Sequence, residues 1–266
     1  MGIAPNDFAH AVKQSGRNAY PTIMTTRERA DRILVARGLF ESRARAQAAI
    51  AAGRVTADGV VVRKASEEIS SAARVIAQPE HPYVSRGGVK LAAALDHFAI
   101  DVNGRVCLDV GASTGGFSEV LLGRGASLVY AVDVGTAQLH PRLRHRDKLV
   151  SIEQTDIRQL DPSALAKQPD FAAVDVSFIS LKLVLPAVGR LLGPRAQLLA
   201  LIKPQFEVGR RGASKGIVRD DAAHKTICAD IGAFLTSLGW RVGAVVPSAI
   251  RGGDGNREFF IEGGRG

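Results

Sequence analysis

"LDVGASTGGFSEVLLGRG", residues 108–125, reads as a strand that stops at a glycine-rich turn and restarts as a helix. The turn runs G-A-S-T-G-G over residues 111–116. That is not the G-x-G-x-x-G of a dinucleotide pyrophosphate loop, and no Gly-Lys-Ser/Thr follows to make it a P-loop. Around it the chain alternates strand and helix signals: "RVCLDV", "FSEVLLGRG", "LVYAVDV", "VSIEQTD", "DFAAVDV", "LKLVLPAVGRLL", "QLLALIK", "AAHKTICADIGAFLTSLG", "WRVGAVVP" and "EFFIEGG". Strands apolar on both faces and separated by helices predict a doubly wound α/β sheet covered on both sides. Such a sheet takes its ligand at the carboxyl ends of its strands, where the turn lies.

Asp109 sits at the end of the first strand, Asp133 at the end of the next, 24 residues on, and Asp156 follows the third. A turn of small residues lets the backbone approach a bulky ligand, and an acid placed as Asp133 is suits a pair of ribose hydroxyls. The set resembles the S-adenosylmethionine site of class I, Rossmann-like methyltransferases. That resemblance implies cofactor contacts from Asp109, Gly111, Ser113, Thr114, Gly115, Gly116, Phe117, Asp133 and Asp175, with Asp156 at the adenine.

Upstream, "RADRILVARGLFESRARAQAAIAAGRVTADGVVVRKASEEI" forms a compact unit over residues 29–69. Ile33, Leu34 and Leu39 mark the apolar side of a first short helix. Ser42 is placed to cap a second helix over Ala44–Ala52, which Gly53 closes. Asp58-Gly59 is the dipeptide of a tight hairpin. Eight basic residues stand against three acidic ones between Arg29 and Lys64, a net +5 in 36 residues. Arg29 with Asp31, Gly38-Leu39, Ser42-Arg43, Ala46, Ile50, Gly53, Val55 and Asp58-Gly59 resemble the S-four-type RNA-binding domain, a small α+β module. Clustered arginines beside a helix start suit phosphate, which points to Arg29, Arg32, Arg43, Arg45, Arg54, Arg63 and Lys64 as RNA contacts. With only 5% aromatic residues, shape and phosphate should outweigh base stacking in this module.

The whole chain of 266 residues is 46% hydrophobic, and its net charge of +9 favours a polyanionic partner. Cys107 and Cys228, its only cysteines, lack metal-type spacing, so neither a disulfide framework nor a metal site is expected, and a reducing, cytoplasmic location fits. The apolar runs are of strand length, which argues against a membrane span. Residues 1–26 read as a flexible leader, 27–80 as the RNA-binding module, 81–88 as a linker, and 89–266 as the catalytic domain, opening on a helix "VKLAAALDHF".

Four side chains are candidates for the transfer chemistry. Asp175 and Lys203 end the fourth and fifth strands, Lys90 follows Gly87-Gly88, and Glu258 starts the last strand. "DVSF" at 175–178 is not the Asp/Asn-Pro-Pro-aromatic of amine methylation, and neither cysteine lies in a strand-end loop where a carbon-methylating nucleophile is needed. The quartet looks like the Lys-Asp-Lys-Glu set of FtsJ-like ribose 2′-O-methyltransferases. Together with "SRGGVKL", "DVSFISL", "IKPQFE", "KGIVRD" and "GNREFF", the chain from about Arg27 onward resembles the TlyA family. The resemblance implies methyl transfer from S-adenosylmethionine to a cytidine 2′-hydroxyl, with ribosomal RNA or ribosomal subunits as partner. A ribose hydroxyl is a poor nucleophile that must be aimed and relieved of its proton. Lys203 is the expected proton acceptor, Asp175 its orienter, and Lys90 and Glu258 positioning groups. Two other readings remain open: an RNA-binding assembly factor without turnover, and a membrane-lytic protein, since the family is also catalogued as hemolysins.

Overall fold

The computed structural model describes residues 26–208 and 217–266. Of the expected leader only Thr26 is among them; Lys215 and Gly216 of "KGIVRD" lie outside. Two compact units divide after Glu80.

The first unit has strand β1 (Arg27–Arg29), helices α1 (Ala30–Ala36) and α2 (Arg43–Ala51), and strands β2 (Val55–Ala57), β3 (Val60–Val61), β4 (Glu68–Ser70) and β5 (Val75–Ala77). β1 pairs antiparallel with β4, and β2 is flanked by β3 and β5 in a small antiparallel sheet. Ser42 caps α2 as expected, its hydroxyl accepting the Arg45 N–H at 3.4 Å. The hairpin at Asp58-Gly59 has φ of +50° and +82°, a left-handed pair that asparagine, aspartate and glycine tolerate best. Ile33, Leu34, Ala46, Ile50 and Val55 fill the core. Leu39, expected inside, is exposed past the end of α1, and Phe40 takes the buried place beside it.

The second unit opens with α3 (Arg86–His97), three residues before the expected start. Gly87 and Gly88 therefore lie in its first turn. A Cβ on Gly88 would strike the Tyr83 ring, so this glycine serves close packing at the helix start. The remaining elements are β6 (Val106–Val110), α4 (Gly116–Gly123), β7 (Leu128–Val132), β8 (Leu149–Ile152), β9 (Phe171–Val174), α5 (Leu181–Leu191), β10 (Ala196–Ile202), α6 (Pro204–Glu207), α7 (Asp221–Ser237), β11 (Arg241–Pro247) and β12 (Phe259–Arg265). One seven-stranded sheet runs in the order β11-β12-β10-β9-β6-β7-β8. The five strands from β10 to β8 are parallel, and β12 runs antiparallel between β10 and β11.

Alternate residues of each strand feed two cores. Leu108, Val110, Ala172 and Val174 pack with Leu181, Leu185 and Leu235 on one face. Cys107, Phe171, Leu199 and Phe260 pack with Leu91, Leu95 and Leu121 on the other. This is the two-sided burial expected of a parallel sheet.

The inserted strand matters for chemistry. Because β12 is reversed, its first residues lie at the edge where the parallel strands end, with Phe259 opposite Ile202. Lys203 and Glu258, 55 positions apart in sequence, thus flank that pair of residues at one rim.

Candidate active site

Close backbone approach shapes the turn after β6. The N–H groups of Gly111 and Ala112 both donate to the Val132 carbonyl, at 2.9 and 3.1 Å. Gly111 has φ +83°, and a Cβ there would collide with the Asp175 carbonyl; Gly115, at φ +92°, would meet Leu139 and Leu143, and Gly116 the Ser85 hydroxyl. These glycines, expected to admit a ligand, are thus also required by the protein's own contacts. Asp133 fastens the turn, its Oδ2 accepting the Ser113 N–H at 2.8 Å and its Oδ1 the Gly135 N–H at 2.7 Å.

Beside the turn opens a cavity of about 460 Å³ whose walls include Val132, Asp133, Asp156, Ile157 and Phe178. Its chemistry fits a nucleoside, with the carboxylates of Asp133 and Asp156 and the aliphatic side chains of Val132 and Ile157 among its walls. Asp156 is there as expected, but the Arg158 guanidinium grips its carboxylate, at 2.5 Å, and holds it below the usual carboxylate range. Asp109 lines neither this cavity nor its neighbour, which corrects its expected place among the cofactor contacts. It is fully buried, and the Ser118 hydroxyl donates to its Oδ2 at 2.6 Å while its Oδ1 has no hydrogen-bond partner among the described residues. Burial pushes this carboxyl up to about 7, with the charges of Asp175 and Asp133 adding to the effect and Ser118 opposing it. Asp109 is thus a brace between β6 and α4.

A second cavity, about 220 Å³, shares Gly111, Ser113, Asp175 and Ser177 with the first; Lys90, Thr114, Gly116, Phe117 and Lys203 add to its walls. Here the expected quartet comes together as two ion pairs. Lys203 Nζ lies 2.5 Å from Asp175 Oδ1, and Lys90 Nζ lies 2.6 Å from Glu258 Oε2. Lys90, Lys203 and Glu258 are 8, 9 and 4% exposed, so both pairs are largely withdrawn from water. Removing one member of such a pair strands the other, so the two residues of each pair depend on one another. Glu258 reaches the cavity only through Lys90.

Two residues escaped the sequence reading. Ser177 Oγ accepts from Lys203 Nζ at 2.8 Å, giving the amine a second anchor. Phe178 is 90% exposed and has φ +64°. Folding gains nothing from a ring left in water, and the left-handed backbone beneath it costs about 1–2 kcal/mol. Its only ring neighbour among the described residues is Phe206, tilted by 50° at a centroid distance of 5.0 Å. The signal was in "DVSF", whose aromatic residue follows the fourth strand. The cysteines are inert as nucleophiles: burial pushes the Cys107 thiol up to about 12 and Cys228 to about 11.

In the first unit, buried Asp31 gathers several of the expected RNA contacts. Arg29 and Arg43 donate to its carboxylate at 3.0 and 2.8 Å, as does Gln47, at 2.8 Å, and these bonds, Arg29's first, hold it well below the usual carboxylate range. Arg29 and Arg43 therefore brace the module as well as charge its surface. Arg32, Arg54, Arg63 and Lys64 are exposed and Arg45 is half-buried.

The FtsJ-like methyltransferase family matches residues 83–265, and the S4 domain matches residues 28–75. A 16S/23S rRNA (cytidine-2′-O)-methyltransferase, TlyA of Mycobacterium tuberculosis, is 43% identical over 241 residues, 90% of each chain. The chain belongs to the TlyA family of FtsJ-like methyltransferases. Another relative, Hemolysin A of Brachyspira hyodysenteriae, is 37% identical over 234 residues, covering 87% of this chain and 98% of its own. A solved structure from Streptococcus thermophilus that carries a hemolysin description superimposes with a TM-score of 0.71 at 42% identity, over 91% of this chain and 89% of that one. In this TlyA-family chain no helix among the described residues is long and apolar enough to cross a membrane.

Proposed function

We propose that this chain methylates a cytidine ribose 2′-hydroxyl of ribosomal RNA, using S-adenosylmethionine. The observation that carries this reading is the abutment of a cavity of about 460 Å³ walled by Asp133 and Ile157 and a smaller one walled by Lys90, Asp175 and Lys203. The ribosomal substrate and the cytidine rest on kinship with TlyA of Mycobacterium tuberculosis. Asp133 would receive the ribose of the cofactor, and Val132 and Ile157 the adenine. Bound there, S-adenosylmethionine supplies an electrophilic methyl group.

The chain's own task is to aim the acceptor and take its proton. Lys203 lines the acceptor cavity with Asp175 and Ser177 fixing its amine, and it takes the hydroxyl proton as the neutral amine, its own proton having first passed to Asp175 or to water. Lys90, held from behind by Glu258, orients the nucleotide and offers a positive charge to the oxygen as negative charge grows on it. Arg32, Arg54, Arg63 and Lys64 hold the phosphates of the RNA through the first unit.

Single-turnover methyl transfer to ribosomal RNA tests these roles. Lys203→Ala should keep cofactor and RNA affinity and lose transfer by about 10²–10⁴-fold, the range for a general base. Lys203→Arg should stay inactive, because a guanidinium holds its proton at any usable pH. Substantial activity of the arginine variant would make Lys203 a fixed charge and leave the proton to water or to Asp175.

A further inference from the structure

Between β7 and β8 the sequence "HPRLRHRDK", residues 140–148, carries Arg142, Arg144, Arg146 and Lys148 against Asp147 alone, a net +3 in nine residues. All four cations are exposed, yet the segment is firmly held. Glu153 accepts the N–H groups of Ala137, Gln138 and Leu139 at 2.6, 3.0 and 3.3 Å just before it. Arg144 Nε donates to the Leu139 carbonyl at 2.8 Å, and Arg142 pairs with Glu119 of α4 at 2.6 Å. Leu143, its one large apolar residue, is 1% exposed and packs with Leu139 and Val84. The His140 N–H donates to the Thr114 carbonyl at 3.2 Å, and Leu139 and Leu143 fill the space that a Cβ on Gly115 would need. Thr114 is itself a wall of the acceptor cavity.

Two of the cations thus serve to shape the segment. Arg146 and Lys148, with His145 beside them, make no side-chain bond among the described residues and project charge into solvent. We propose that residues 140–148 form a phosphate-binding surface of the catalytic unit, contacting the RNA backbone of the strand whose nucleotide enters the acceptor cavity. This rests on the reading of RNA as substrate. The chemistry favours a polynucleotide over an anionic lipid surface: the segment offers exposed cations, and its apolar residue is turned inward, so nothing is available to enter a bilayer. A rigid mount beside the cavity wall also suits positioning, since phosphate contacts set the register of a strand while its bases are read elsewhere.

The test compares the full-length protein with two doubly neutralised variants of equal net charge. One is Arg146→Gln with Lys148→Gln. The other is Arg195→Gln with Arg241→Gln, exposed residues at the opposite ends of β10 and β11 from the acceptor cavity. Affinity for naked ribosomal RNA is measured over a range of salt, alongside cofactor affinity. Each phosphate that is no longer neutralised lowers the slope of log K against log salt by about 0.7–0.9. The first variant should therefore lower that slope by roughly 1 to 2 and raise KM for RNA, with cofactor affinity unchanged. The second should leave slope and KM as in wild type. An unchanged slope in the first variant, or an equal drop in both, overturns the proposal. So does loss of binding to phosphatidylserine–phosphatidylcholine vesicles with RNA binding intact. Methyl transfer by the wild type is followed in the same preparations: no transfer with the slope difference present would sink the enzymatic reading and spare the surface, and transfer without a slope difference does the reverse.

Discussion

Asp109 and Phe178 are the two residues whose environments most need a reason. An unfolded aspartate ionises near pH ~4, whereas burial keeps the Asp109 proton in the folded chain up to about 7. Its contribution to stability is therefore fully present below about pH 4 and is lost as the pH rises through about 7. Denaturant titrations at a series of pH values should show Asp109→Asn gaining on wild type across that window and levelling above it. A gap independent of pH would mean that Asp109 does not titrate there. Phe178 offers an exposed ring on the wall of the larger cavity, one residue beyond Ser177, which both cavities share, and stacking of a nucleobase on an aromatic ring contributes about 1–3 kcal/mol. Phe178→Ala should accordingly lower kcat/KM for RNA by about 5- to 150-fold, and Phe178→Tyr should restore it where Phe178→Leu does not. Equal rescue by leucine would reduce the residue to a hydrophobic contact. Asp175, Lys203 and Glu258 were legible from their places at strand ends, and Lys90, within α3, from the resemblance to the Lys-Asp-Lys-Glu set. Ser177 and Phe178 escaped because, although "DVSF" shows an aromatic residue after the fourth strand, what singles the two out is a 2.8 Å contact and a positive φ.

Among the elements, the turn between β6 and α4 carries most of the constraint. Gly111 and Gly239 both have φ +83°, but a Cβ on Gly239 meets open space, whereas one on Gly111 runs into the backbone of Asp175. Each change to alanine costs about 1–2 kcal/mol for the left-handed backbone. Gly111→Ala should cost roughly 1–3 kcal/mol more for overpacking, as read by the chemical denaturation midpoint. Equal destabilisation of the two variants would mean that β6 and β9 have room to part. The turn itself, the Ser42 cap and the Asp58-Gly59 hairpin were legible, since local sterics and short hydrogen bonds fix them. The start of α3 was missed by three residues because Gly87-Gly88 signals a break locally, while the close approach of Gly87 to the Phe117 ring and of Gly88 to Gly116 is tertiary. Asp109 was read as a ligand contact because strand-end position does not reveal which face of the sheet a side chain enters.

Over the whole molecule, an S4 domain stands in front of an FtsJ-like methyltransferase domain. That order was readable because each unit has its own motif spacing and the basic excess is concentrated in the first. The insertion of β12 between β10 and β11 was not, since the edge a strand joins is decided by long-range pairing, and it is this insertion that carries Glu258 to Lys90. The central claim is methylation of a ribose hydroxyl. Its most direct test is incubation of the full-length protein with methyl-labelled S-adenosylmethionine and ribosomal subunits, followed by alkaline hydrolysis of the RNA. A methylated 2′-oxygen cannot attack the neighbouring phosphate, so label should appear in alkali-resistant dinucleotides with cytidine on the 5′ side. Label released in mononucleotides would place the methyl group on a base and contradict the assignment, as would absence of label from the RNA.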